Sequence, residues 1–306
     1  MNKALVSSTI AALLCTAVSL ASAQQAFKTP DEAATALVSA AKAGDMKALV
    51  TVLGPDGEDI VSSGDEVADA ATRQKFVSAF DAKHQITLEG ENKAVMVIGP
   101  DDYPLPIPLT RKDGTWRFDT AAGRDEILAR RIGRNELNAI QVALAFVDAQ
   151  NEYSEKDRTG AGIKTYAQRI ISQPGKKDGL YWPASQGGDP SPLGELVAQA
   201  NAQGYHGGGG RAPYHGYYFR ILTKQGPAAT GGELDYIVRG KMIGGFALVA
   251  YPAEYRNSGV MTFIVNHDGK VFQKDLGPDT AKLAGRITSY NPDGTWQKVS
   301  DTEPVK

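Results

Sequence analysis

The chain has 306 residues, 42% of them hydrophobic and 22% charged, a globular composition long enough for two hydrophobic cores. Its 33 basic and 35 acidic residues leave a formal charge of −2 with no basic run, which argues against nucleic acid as a partner. The single cysteine, Cys15, excludes a disulfide framework.

Residues 1–23 read as an export signal. Lys3 supplies the positive start, Ala4 to Leu20 an apolar stretch, and Ala21-Ser22-Ala23 a small-x-small cleavage site before Gln24. A lipidated cysteine wants a small residue before it, and Leu14 precedes Cys15, so cleavage after Ala23 is the expected event. No later stretch approaches the roughly 18 apolar residues of a membrane span. The mature chain is therefore expected to be soluble, periplasmic or secreted, and free of cysteine.

Residues 24–120 read as an α+β domain. Thr29-Pro30-Asp31-Glu32 is a capping box with proline at the first helical position, and Ala33, Ala36, Leu37, Ala40 and Ala41 share one helical face up to Gly44. Asp45 caps a short helix over Met46 to Leu53, stopped by Gly54-Pro55. Ser63-Gly64-Asp65-Glu66 reads as a second capping box, opening a helix with Val67, Phe76, Val77 and Phe80 on its apolar side. Four strands follow, Gln85 to Leu88, Ala94 to Ile98, Ile107 to Arg111 and Thr115 to Phe118, the last two joined at Lys112-Asp113-Gly114. The order resembles the cone-shaped nuclear-transport-factor-like (NTF2-like) or cystatin-like domains, in which an antiparallel sheet wraps around helices. The apolar residues are read as core.

Residues 121–306 read as a second α+β domain. Leu137, Ile140, Leu144 and Val147 predict a long helix over Asn135 to Tyr153, with Gly133 as a break before it. Short helices are expected over Ile163 to Ile171 and Leu193 to Asn201. Gly207 to Gly210 reads as a flexible loop and no phosphate site, since no lysine and hydroxyl pair closes it. Strands are expected over Tyr214 to Leu222, Leu234 to Val238, Phe246 to Tyr251 and Val260 to Val265. A turn at Asn266 to Gly269 leads into Lys270 to Lys274. Asp113-Gly-Thr-Trp116 and Asp293-Gly-Thr-Trp296 are an internal echo of turn chemistry, without a duplicated domain around it.

The ordered phrases Leu180-Tyr-Trp-Pro183, Pro213-Tyr-His-Gly-Tyr-Tyr-Phe219, Met242-Ile-Gly-Gly-Phe-Ala-Leu-Val-Ala-Tyr-Pro252 and Gly259-Val-Met-Thr-Phe-Ile-Val-Asn-His-Asp-Gly269 closely resemble the bacterial exported family catalogued as domain of unknown function 2950. That resemblance implies no activity. More loosely, the long helix and the phrases Gly216-Tyr-Tyr-Phe219 and Ala250-Tyr-Pro252 look pilin-like. The methylated processing site and apolar N-terminal helix of pilins are missing.

The residues that could carry function gather on two loops. Tyr205, His206, Arg211, Tyr214 and His215 form the densest polar and aromatic cluster, and Glu254 lies on the loop over 253–258. His206 and His215 match no zinc spacing, and a metal would need a third ligand such as Asp189 or Glu254, so neither metal nor cofactor is assigned. There is no Gly-x-Ser-x-Gly elbow and no His-Glu-x-x-His, so no catalytic residue is assigned. The sequence points to an exported envelope protein that binds a ligand or an envelope protein without chemistry. The alternatives are a periplasmic hydrolase or other enzyme using His215 with Glu254 or Arg211, and a structural or assembly module.

Overall fold

The computed structural model describes residues 24–158, 160, 162–186, 188–206 and 212–300. The expected export signal, the expected loop Gly207 to Gly210 and Arg211 lie outside them.

Helix α1 (Pro30–Ala43) starts where its box requires. Thr29 accepts the Glu32 N–H at 3.1 Å, the Glu32 carboxylate accepts the Lys28 N–H, and Gly44 closes the helix at φ +64°. Asp45 caps α2 (Met46–Leu53) through the Ala48 N–H. A one-turn 3-10 segment (Pro55–Gly57) and α3 (Glu58–Val61) lead to α4 (Glu66–Ala82). The cap of α4 is Asp65, where the sequence suggested Ser63. Asp65 Oδ1 accepts the Ala68 N–H at 3.0 Å, while the Ser63 hydroxyl donates to Asp69. Both residues can cap, and only the path of the chain chooses between them.

Strands β1 (His84–Leu88), β2 (Lys93–Ile98), β3 (Tyr103–Pro104), β4 (Leu109–Lys112) and β5 (Thr115–Phe118) form an antiparallel sheet of order β1-β2-β4-β5, with β3 also paired to β2. Met96, Ile98, Leu109 and Phe118 meet Leu37, Val38, Leu49 and Val52 in the first core.

Helix α5 (Thr120–Ser154) runs for 35 residues without the expected break at Gly133. A glycine costs a helix interior about 1 kcal/mol relative to alanine yet keeps its N–H donor, so it weakens a helix without ending it. The helix is also held at both ends. The Thr120 hydroxyl donates to the Leu53 carbonyl, and at Gly123 a Cβ would come within 2.4 Å of the Pro106 carbonyl oxygen. At the other end Ile140, Phe146, Val147 and Tyr153 enter the second core. The expected boundary at Thr120 thus falls at the start of a helix that serves both halves.

Residues 163–171 form bends and isolated bridges, where a short helix was expected. The side chain of Gln150, fully buried on α5, donates to the Ala167 carbonyl and accepts its N–H, both at 2.8 Å. It takes the main-chain groups a helical turn would use. Tyr166 then bridges to Met242 and Ile171 to Tyr181. A 3-10 turn (Ala184–Gln186) and α6 (Gly194–Ala202) follow.

The rest is mainly sheet: β6 (Tyr217–Leu222), β7 (Lys224–Gln225), β8 (Leu234–Asp235), β9 (Ile237–Val238), β10 (Lys241–Met242), β11 (Ala247–Pro252), β12 (Met261–Asn266), β13 (Phe272–Asp275) and β14 (Gln297–Lys298), with α7 (Thr280–Arg286) after β13. The large antiparallel sheet has the order β14-β13-β12-β11-β6, while β7-β8 and β9-β10 are separate two-strand ladders. Leu234 to Val238, expected as one strand, is divided at buried Tyr236, whose hydroxyl donates to Gln225. Opposed pairs share a face of the sheet, so Phe219, Ile221, Leu248 and Ala250 lie together. Arg220, on the other face, donates to the Ala284 and Ile287 carbonyls at the C-terminal end of α7. Every residue from Ala247 to Ala250 is buried, because helices cover both faces. The chain is therefore α+β, with antiparallel sheets throughout.

Candidate functional site

The site grows from the cap of α4. Asp65 is only 1% exposed, and its second oxygen, Oδ2, accepts the Tyr205 hydroxyl at 2.9 Å and the Gly216 N–H at 2.8 Å. Tyr205 in turn accepts the His215 N–H at 3.3 Å. Tyr214 and Tyr217 exchange both main-chain hydrogen bonds, so His215 and Gly216 form a two-residue hairpin turn at φ +50° and +77°. Histidine tolerates the left-handed region better than most residues, and at Gly216 a Cβ would come within 2.6 Å of Asn135 Nδ2. His215 was expected at the start of a strand. The turn lifts it out of the ladder, with its ring against Tyr214 at 4.3 Å.

Behind this turn a cleft of about 490 Å³ opens between α5, α6 and the sheet. Phe219 and Leu248 line it from the sheet, Val142 and Phe146 from α5, and Leu196 and Val197 from α6. Asp65, Glu66, Tyr205, His206 and Tyr214 give it a polar mouth. The rings of Tyr205 and Tyr214 meet at 75° with centroids 4.9 Å apart. Burial raises the pKa of both phenols, most at Tyr205, where the charge of Asp65 adds to it. Burial also lowers the pKa of His215, with the Asp65 charge opposing, so its imidazole favours the neutral form.

Three of the residues the sequence singled out, Tyr205, His206 and Tyr214, line this cleft, and His215 adjoins it. Glu254 does not line it. Its carboxylate accepts from Asn257 at 2.7 Å and packs so close to Gly64 that a Cβ there would come within 2.9 Å. No hydrogen bond or ion pair joins His215 to Glu254, which leaves the suggested acid and base pair without contact.

Glu254 instead belongs to a contact between the halves that sequence reasoning missed. Arg131, on α5, donates to the Asp59 and Ile60 carbonyls and to the Asn257 side chain. Asn257 donates onward to the Ser62 carbonyl at 2.8 Å. One turn along, Asn135 donates to the Ser258 carbonyl and Glu136 accepts the Val260 and Met261 N–H groups. Burial lowers the Arg131 pKa. Nothing in the local pattern marks Arg131, since an arginine on a long amphipathic helix reads as solvated.

A family model described as "Protein of unknown function (DUF2950)" matches residues 24–299. The chain belongs to this family. Comparison with curated proteins and with solved structures gives no match, so the likeness of the two halves to cystatin-like, nuclear-transport-factor-like and pilin-like domains finds no counterpart there. Among the described residues of this DUF2950 member, no three His, Cys, Asp or Glu side chains gather as metal ligands would, and no helix is long and apolar enough to cross a membrane.

Proposed function

We propose that this DUF2950 member is an exported envelope protein that holds a ligand in the cleft between α5, α6 and the second sheet, without performing chemistry on it. The observation that carries this reading is the cleft itself. It has an apolar body and a few convergent polar side chains at one end, and three of those were singled out from sequence. Two of the acids in and near it are engaged in structure: Asp65 caps a helix and holds a turn, and Glu254 accepts from Asn257.

Export is supported by the signal pattern over 1–23 and by a family match that begins at Gln24. The Gln24 carboxamide donates to the Val52, Leu53 and Phe118 carbonyls, so the chain is anchored from the first residue after the cleavage site. Two domains sharing α5 fit the two separate cores, with no sheet among the described residues drawing strands from both sides of Thr120.

Native mass spectrometry of protein recovered from cell envelopes tests both parts. A polypeptide mass starting at Gln24, with a small molecule retained by the wild type and lost from Val197→Trp, is the expected result. Retained Met1 overturns export, and a ligand held equally by Val197→Trp overturns the cleft.

A further inference from the structure

Resting on the reading of the cleft as a binding site, we propose that its occupant is an amphiphile with a cationic head, its apolar chain against Phe146, Val197 and Phe219 and an ammonium group at the mouth. The body of the cleft offers aliphatic and aromatic side chains, which suit a hydrocarbon chain or fused apolar rings and leave a sugar or nucleotide without hydrogen-bond partners.

The mouth decides the head group. Asp65 and Glu66 both line it, and no lysine or arginine does among the described lining residues. Neither acid forms an ion pair with a described residue. The three hydrogen bonds to Asp65 come from neutral donors, the Ala68 and Gly216 N–H groups and the Tyr205 hydroxyl, so they spread its charge without cancelling it. The start of α4 would favour an anion, but the Asp65 carboxylate already occupies that end. Tyr205 and Tyr214, which line the same end, pack edge to face with ring centroids 4.9 Å apart. Ring faces and carboxylates together attract an ammonium ion, and quaternary ammonium, which cannot hydrogen-bond, relies on the rings most. A carboxylate or phosphate head would stand beside two acids that no described lysine or arginine of the lining offsets, and be repelled.

The test uses the purified protein with the uncharged fluorescent probe N-phenyl-1-naphthylamine in the cleft. Competitors of equal chain length, dodecyltrimethylammonium, dodecanol and dodecanoate, are compared below their micelle concentrations. Dodecyltrimethylammonium is expected to displace the probe at about tenfold lower concentration than dodecanoate. Glu66→Gln and Tyr214→Leu should each reduce that preference at least about threefold. Neither change should unfold the protein, since Glu66 is exposed and the Tyr214 hydroxyl makes no hydrogen bond to a described residue. Equal or stronger displacement by dodecanoate overturns the cationic head while probe binding keeps the cleft. A cationic preference unchanged in both variants overturns it too, as general attraction to an acidic protein. A probe bound equally well by Val197→Trp removes the cleft reading, and the inference with it.

Discussion

The Asp65 carboxylate accepts the Gly216 N–H at 2.8 Å across 151 residues of chain, joining the cap of a helix in the first half to the turn before the edge strand of the second. The same oxygen holds Tyr205, so one side chain sets the start of α4, the hairpin turn and the mouth of the cleft. Asp65→Ala removes a helix cap and leaves a buried N–H and a phenol without partners. The expected loss is about 2–4 kcal/mol, summing a cap of about 1 and an unsatisfied donor of about 1–3. Urea denaturation followed by circular dichroism measures it, and a loss below about 1 kcal/mol would mean that the halves are not tied here.

Gly216→Ala should cost at least about 1–2 kcal/mol, because its positive φ is unfavourable for alanine and the added Cβ meets Asn135. His215→Gly, at the preceding position, should be neutral or stabilising by less than about 1 kcal/mol, since glycine accepts φ +50° without strain. Melting temperatures of the two variants should therefore move apart, and a parallel fall would refute the turn.

His215 also makes stability depend on pH. Burial lowers its folded pKa below the ordinary 6.5, so the unfolded chain binds the proton more readily. Stability should be flat above about pH 6.5 and fall as the pH drops toward the lowered value. His215→Asn keeps a residue that tolerates the turn and removes the titration. The difference in urea midpoint between wild type and this variant should shift between pH 7.5 and pH 5, and a constant difference would contradict the assignment.

Arg131→Lys should behave almost as badly as Arg131→Ala. The guanidinium serves two carbonyls and Asn257 at once, a geometry one ammonium cannot copy. About 2–3 kcal/mol is expected for either, from charge-assisted hydrogen bonds lost in a half-buried setting. Limited proteolysis near residues 59–62 reports it independently, because those carbonyls would lose their anchor. A lysine variant as stable as wild type would show that the contact is incidental.

Gln24→Ala should lower stability by about 1–2 kcal/mol through three carbonyls left without their donor. Thermal unfolding of the mature chain checks it. An unchanged melting temperature would mean that the ordered part begins later than Gln24.

Much of the fold was legible because it rests on neighbours close in the chain. Thr29 and Asp45 cap the helices they precede, Thr115 to Phe118 has the expected bounds, and most other expected strands shift by a few residues, Leu234 to Val238 being the one that divides. The two helix misses share an origin. Gly133 should interrupt a helix on local grounds, and 163–171 should coil into one, but contacts from Thr120 and Gln150 to distant main chain override both preferences. In the site, Tyr205, His206 and Tyr214 stood out as a polar and aromatic cluster, whereas Glu254 joined them in the sequence reading only by residue type.

What the sequence by itself determined is the α+β class, the family and the region where aromatic and polar side chains gather. Capping boxes, turn residues and alternation act over a handful of positions, and they need no knowledge of what lies opposite. Only the tertiary structure decided that Asp65 faces Gly216, that Arg131 reaches Asn257, and that an apolar cleft opens behind the Tyr214–Tyr217 turn. Asp65 is chemically an ordinary helix cap until folding buries it. Its second oxygen then has to find donors, and the donors within reach are set by the packing of elements far apart in the chain.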